Sequence, residues 1–183
     1  RGRFMQEAVP AGVGAMAAIV GLAPAEVEAA CRDAAQGQSV SPANYNSPEQ
    51  TVIAGHAGAV ERASQGCLAR GAKRAIPLPV SAPFHCALMS PARERLRPLL
   101  EAAAFSEARI PVVTNVDAAA VTGSGALREA LVRQVDSPVR WVESVQRLAR
   151  EGVDRGLEIG PGNVLAGLVR RIEKDIKVEG YAG

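Results

Sequence analysis

Apolar residues recur along this chain in short blocks with two rhythms. Residues 14–22, GAMAAIVGL, form an apolar run closed by glycine, the pattern of a buried strand. In the segment APAEVEAACRDAAQG that follows, Val27, Ala30, Cys31 and Ala34 return at helical spacing and share one face. Pro24 suits the first helical turn, and Gly37 can take the left-handed conformation that ends a helix. SVSPANY and QTVIA read as two strands joined by the turn chemistry of NSPE. A second helix, AGAVERASQGCLARGA, places Val60, Ala63 and Cys67 together. RAIPLPV (74–80) is extended, and its prolines, which cannot donate to a ladder, predict an edge strand or one leaving the sheet. The order over 14–80 is β-α-β-β-α-β, the ferredoxin-like pattern, so 10–81 is expected to form one small unit.

The remainder alternates strands with helices. SPARERLRPLLEAAA has Ser90 and Pro91 as helix-start residues. IPVVTNVDA (110–118) is a strand running into a turn. GALREALVRQV and VRWVESVQRLAREG are helices separated by Ser137-Pro138, and GLEIGPGNVLAGLVRRIEK is strand, glycine turn, helix. This alternation predicts a parallel sheet with helices on its faces. With only two clear strands, residues 1–9 and 82–183 are expected to be part of a larger α/β domain that carries the small unit as an insertion. RGRFMQEAVP, at the start, reads as the middle of a helix.

Composition narrows the function. The 183 residues are 48% hydrophobic, enough for one sizeable core or two small ones. A net charge of +2 with scattered cations, and only 3% aromatics, argue against a nucleic-acid partner. No apolar run approaches the roughly 18 residues of a membrane helix, so no membrane partner is expected. No secretory leader pattern is present. The three cysteines, Cys31, Cys67 and Cys86, lack framework spacing and fit reduced thiols in a cytoplasmic protein.

His85, in VSAPFHCALMSP, is one of two histidines and falls at the junction between the two units, where clefts form. It could be a buried structural residue or a base. No metal is expected, because no Cys, His or carboxylate cluster lies at ligand spacing. A base needs a nucleophile, and no Gly-x-Ser-x-Gly elbow occurs; TGSGA around Ser124 has Thr122 in place of the first glycine. Ser81 reads as a loop serine. GPGN (160–163) reads as a tight strand-to-helix turn rather than a phosphate loop, since no Lys-Ser/Thr follows. His56 reads as a surface residue near a helix start.

Six segments together, RGRFMQEAVPAGVGAMAAIVGL, SPANYNSPEQTVIAG, GAKRAIPLPVSAPFHCALM, NVDA, ALVRQVDSPVRW and EIGPGNVLAGL, closely resemble the bacterial malonyl-CoA:acyl carrier protein transacylase family. Each alone is a weak signal; six in register over nearly the whole chain are specific. The resemblance implies an α/β-hydrolase-like large domain, here partial, with a ferredoxin-like small domain inserted and the active site between them. It implies ping-pong transfer of malonyl from malonyl-CoA to the phosphopantetheine thiol of acyl carrier protein in fatty acid biosynthesis, by an intact monomer in the cytoplasm. No cofactor is implied, coenzyme A thioester being a substrate. The family's Gly-Gln-Gly-Ser-Gln loop and Gly-His-Ser-Leu-Gly elbow are absent from this sequence. The serine is therefore expected upstream, and residues 1–183 alone are expected to be inactive.

Residue by residue, His85 matches the family's catalytic histidine and Gln134 the residue whose backbone carbonyl holds its other ring nitrogen. Arg1 matches the arginine for the malonyl carboxylate, a role suited to a planar guanidinium. Phe84 matches a position where a large ring goes with malonyl over methylmalonyl. Asn44, Asn46, Gln50, Lys73 and Arg74 match positions lining the coenzyme A and phosphopantetheine path. Two other readings remain: a non-catalytic ferredoxin-like binding module, and a serine hydrolase on the same fold.

Overall fold

The computed structural model describes residues 1–80 and 82–181. Ser81, expected in a loop, lies outside the described residues. The chain opens with a short helix α1 (Gly2–Glu7), in line with the helical reading of its first residues. Then come β1 (Gly14–Val20), α2 (Pro24–Ala34), β2 (Val40–Ser47), β3 (Gln50–His56), α3 (Ala57–Ala69) and β4 (Arg74–Pro77). This is the expected β-α-β-β-α-β order. The four strands form one sheet in the order β2-β3-β1-β4, with every neighbouring pair antiparallel. The edge position expected for the Pro-containing segment holds: β4 pairs only with β1 and ends at Pro77.

The apolar rhythms explain the packing. Val27, Ala30, Cys31 and Ala34 of α2 and Ala59, Val60, Ala63 and Cys67 of α3 close over Ala17, Ile19 and Ile53 of the sheet. Ile19, Val27 and Ile53 are fully buried, each contributing about 1.5–3 kcal/mol relative to exposure. Small residues let the helices approach; a Cβ on Gly66 of α3 would sit 3.6 Å from the Cβ of Ala30. The opposite face of the sheet carries Met16, Ala18, Ala43, Val52 and Ala54, and meets Cys86 and Phe84 from the segment after β4. A strand buried on both faces reads as a continuous apolar run, which is why GAMAAIVGL shows no alternation.

After a 3₁₀ turn at Ala87–Met89 follow α4 (Ser90–Ala102), β5 (Val112–Thr114), β6 (Ala119–Val121), α5 (Ser124–Arg133), α6 (Trp141–Arg150), β7 (Arg155–Ile159), α7 (Val164–Ile172) and β8 (Lys177–Tyr181). Here the expected parallel sheet is corrected. β5 and β6 form an antiparallel hairpin, and among the strands of the described residues β7 and β8 alone pair in parallel, beside an isolated parallel bridge between Asn44 and Val139. The turn residues Asn115–Ala118 fold VVT back on AAV, with Ala118 at φ 53. The segment between α5 and α6 is stitched to β2, whose Tyr45 N–H donates to Val139 O at 2.9 Å while Val139 N–H donates to Ala43 O at 2.8 Å. No helix among the described residues is long and apolar enough to cross a membrane.

Candidate active site

The segment carrying His85 is pinned on both sides. Ala82, Pro83, Cys86 and Met89 are all buried, and Pro83 packs so closely on β1 that a Cβ on Gly14 would lie 2.3 Å from its Cγ. Between these anchors His85 adopts φ 59, a left-handed conformation that costs a non-glycine residue about 1–2 kcal/mol. Strain of this kind persists only where the surroundings over-determine it. In this conformation the imidazole reaches the end of α5.

There the ring meets Gln134, the residue that ends α5. His85 Nδ1 lies 2.9 Å from the Gln134 backbone oxygen. A carbonyl can only accept, so Nδ1 carries the proton and Nε2 is left as the basic nitrogen. That carbonyl is one of the unpaired acceptors at a helix C-terminus, where the macrodipole favours positive charge. The side-chain amide of Gln134 lies 3.5 Å from Nδ1, but with Nδ1 protonated this sets donor against donor. Its hydrogen bonds run instead to Ser137 O at 3.0 Å and Pro138 O at 3.3 Å, folding the turn on itself.

Burial lowers the His85 pKa from its ordinary 6.5; the Gln134 carbonyl opposes this, the Arg1 charge adds to it, and the Ser137 backbone opposes it again. The net shift is downward, so the ring is neutral at pH 7 and able to accept a proton. The adjacent thiol offers no nucleophile. Burial pushes Cys86 up to about 11, and its Sγ donates to Pro83 O at 3.1 Å. Among the described residues, no hydroxyl or thiol is bonded to His85 Nε2.

His85 opens on a cleft of about 480 Å³ lined by Arg1, Gly2, Met5, Met16, Asn44, Leu78, Val80 and Phe84. Four of the nine sequence candidates, Arg1, Asn44, Phe84 and His85, therefore share one cavity, and Gln134 touches it through His85. The structure does not bring the other four there. Gln50 and Arg74 line a separate groove with Ser47, Glu49 and Arg171 at the β2–β3 hairpin end. Lys73 lies along Gly21, and Asn46 is half-buried on β2 between Asn44 and the hairpin. Sequence reasoning missed the apolar lining of Met5, Met16, Leu78 and Val80, whose only signal was membership of apolar runs.

Three further readings meet the structure here. The GPGN segment is a turn, with Gly160 and Gly162 at φ 135 and 88, and the Glu158 carboxylate occupies the start of α7 by accepting from Leu165 N–H at 2.9 Å and Ala166 N–H at 2.8 Å. No room for a phosphate is left on those donors. His56 is corrected from a surface residue. It is half-buried at the N-cap of α3, where its Nδ1 accepts Ser39 N–H at 3.0 Å. Among the described residues no group of three or more His, Cys, Asp or Glu is placed to hold a metal.

Comparison with known proteins gives a consistent picture. The acyl transferase domain family matches residues 1–183. The malonyl CoA-acyl carrier protein transacylase of Escherichia coli (strain K12) is 57% identical over 172 residues, covering 94% of this chain and 56% of that protein. The Bacillus subtilis (strain 168) protein of the same name is 48% identical over 178 residues, covering 97% and 56%. An acyl carrier protein S-malonyltransferase structure from Vibrio cholerae superposes with a TM-score of 0.97 at 52% identity, covering 99% of this chain and 59% of that one. A malonyl-transacylase in complex with a type II PKS acyl-carrier protein gives 0.95 at 52% identity, covering 98% and 58%. The chain thus spans a little over half the length of the relatives it matches.

Proposed function

We propose, from the premise that this chain belongs to the acyl transferase domain family, that it supplies the base and the acyl-binding wall of a malonyl-CoA:acyl carrier protein transacylase of fatty acid biosynthesis. The observation that carries this reading is the His85 Nδ1–H bond to the Gln134 carbonyl, 2.9 Å, in a cleft that Arg1 also lines. The nucleophile of this reading is a serine outside residues 1–183. His85 Nε2 takes the serine proton as Oγ attacks the thioester carbonyl. The C–S bond breaks, and the proton passes to the departing coenzyme A sulfur, leaving a malonyl-serine ester. In the second half the phosphopantetheine thiol gives its proton to Nε2, its sulfur attacks the ester, and the proton returns to the serine oxygen. Positive charge develops on the ring only transiently, and the Gln134 carbonyl stabilises it without adding a full charge.

Arg1 takes the malonyl carboxylate, Phe84 limits bulk at the α-carbon, and Asn44 bonds the pantetheine amides. Asn46, Gln50, Lys73 and Arg74 then serve the distal part of coenzyme A. The hairpin end at Ser47 is three residues from Asn44, roughly 10 Å at about 3.3 Å per residue, a distance a pantetheine arm spans. No cofactor is needed. The fold reading that goes with this function is a ferredoxin-like small domain, 10–81, inserted in a partial α/β-hydrolase-like domain, 1–9 and 82–183, in a cytoplasmic monomer. The antiparallel order β2-β3-β1-β4 under α2 and α3 supports the first part. Malonyl transfer from malonyl-CoA to holo-acyl carrier protein by the intact protein, lost by about 10²–10⁴-fold in His85→Ala, tests the reading. Hydrolysis of malonyl-CoA with no transfer would replace it by a hydrolase.

A further inference from the structure

The Gln134 carbonyl and His85 belong to different stretches of chain, brought near each other where the buried Val135 packs with Ala82 and Met89. Gln134 lies in the turn 134–137 that follows α5. His85 lies in the segment that leads, through the 3₁₀ turn, into α4. Asp136, two residues after Gln134, reaches across this gap. Its side chain is only 7% exposed, and Oδ2 accepts from Arg93 Nη1 at 2.9 Å and from Ser90 Oγ at 3.1 Å. Ser90 also stands 2.9 Å from Ala87 O, in the turn that follows His85. The carboxylate thus sits at the first turn of α4, the positive end of a 13-residue helix. Its charge also reaches the Cys86 thiol, next to His85. Oδ1 is buried without a hydrogen-bond partner among the described residues.

A half-satisfied buried carboxylate is a poor way to gain stability, since well-packed apolar residues commonly do as well or better than a buried ion pair. What such a pair gives is fixed geometry. We propose that Asp136 is a positioning residue that clamps the 134–137 turn to the start of α4 and so holds the Gln134 carbonyl on His85 Nδ1. The clamp has a counterpart on the other side of Gln134, where Arg133 meets Asp117 through two contacts of 2.6 Å. The turn is held from both flanks; on the Asp136 side the adjoining Val135, fully buried, packs in one cluster with Ala82 and Met89, and the Asp136 carboxylate adds the polar tie to the start of α4.

This inference rests on His85 being the base of the reading above, but its test does not depend on that. The Nδ1–H proton of His85 is followed by NMR in the intact protein, assigned by its loss in His85→Gln, alongside the pH profile of acyl transfer. Asp136→Ala is expected to broaden or lose the Nδ1–H signal, to lower the His85 pKa because the carbonyl no longer favours the imidazolium, and to reduce kcat about tenfold with KM for the acyl donor within about twofold. Asp136→Asn keeps an acceptor for Ser90 and is expected to restore a large part of each. Should Asp136→Ala fail to fold, Arg93→Gln, at a side chain 37% exposed, removes one arm of the clamp and is expected to weaken the Nδ1–H signal in the same direction. An unchanged Nδ1–H signal and His85 titration in a folded Asp136→Ala, or in Arg93→Gln if that variant alone folds, overturns the proposal, whatever happens to thermal stability. Absence of transfer by the wild type would sink the malonyl reading and leave the NMR result to decide the clamp.

Discussion

At the scale of single residues, the decisive object is the His85 imidazole and the tautomer imposed on it. Because its pKa lies below 6.5, with burial as the largest cause, the ring loses its basic form only as pH falls through that lowered value. The acid limb of kcat/KM should therefore lie below pH 6.5, with activity flat above it until another group intervenes; a limb centred above 6.5 would contradict the assignment. Gln134 makes a sharper case. Its contact with His85 is made by the backbone, and its side chain serves Ser137 and Pro138. Gln134→Ala is thus expected to cost about 1 kcal/mol of stability, in line with the loss of a net hydrogen bond, and to change kcat less than about threefold. A loss as large as that of His85→Ala would show that the side chain, not the carbonyl, acts on the ring. None of this was legible from residue type alone. A lone histidine beside a cysteine admits several roles, and a glutamine before Val-Asp-Ser-Pro looks like helix surface. Only the resemblance paired them, and the 2.9 Å contact then gave the pairing its geometry. Asp136 stayed hidden because an acidic residue before Ser-Pro reads as a turn residue.

At the scale of elements, the sequence spoke clearly where one rhythm ran long enough. The faces of α2 and α3 were readable because each buries against the sheet, and the apolar run of β1 because that strand is buried on both faces. The strands β6 and β8 were not. Ala119–Val121 is three residues long, and Lys177–Tyr181 alternates Val178 with charged or small residues while pairing with β7 across an intervening helix. Short strands with distant partners leave little local signal. The element most directly tied to the site is the contact of β1 with the His85 segment. Gly14→Ala would place a methyl 2.3 Å from Pro83 Cγ, and Pro83 is fully buried. Overpacking of that kind typically costs about 1–3 kcal/mol. Thermal unfolding should register it, and acyl transfer should fall further than stability does because Pro83 stands two residues from His85. Transfer kept at wild-type level in a destabilised Gly14→Ala protein would show that the segment's position is not set by β1.

At the scale of the molecule, the sheets differ in how well they are covered. The sheet β2-β3-β1-β4 is covered on both faces. The lobe built from α6, α7, β7 and β8 buries Val145, Val169 and Ile176, yet leaves Leu157 65% and Ile159 80% exposed on one face of β7, with Val164 70% exposed just beyond. Apolar surface of this kind marks contact sites. Residues 1–183 purified alone are expected to self-associate with rising concentration, and Leu157→Lys with Ile159→Glu to suppress this in light scattering. A monodisperse monomer at all concentrations would refute the expectation. Sequence pattern pointed to the larger unit that contains this lobe, 1–9 and 82–183, as thin, two clear strands being few for a wound sheet; those strands, β5 and β7, pair with β6 and β8 rather than within one sheet. The most direct test of the central claim is intact mass spectrometry of the intact protein after exposure to malonyl-CoA and then to holo-acyl carrier protein. The expected result is one malonyl group on the wild type that moves to the carrier, and no adduct on His85→Ala. A His85→Ala protein that becomes malonylated as fast as wild type would contradict the assignment of His85 as the base.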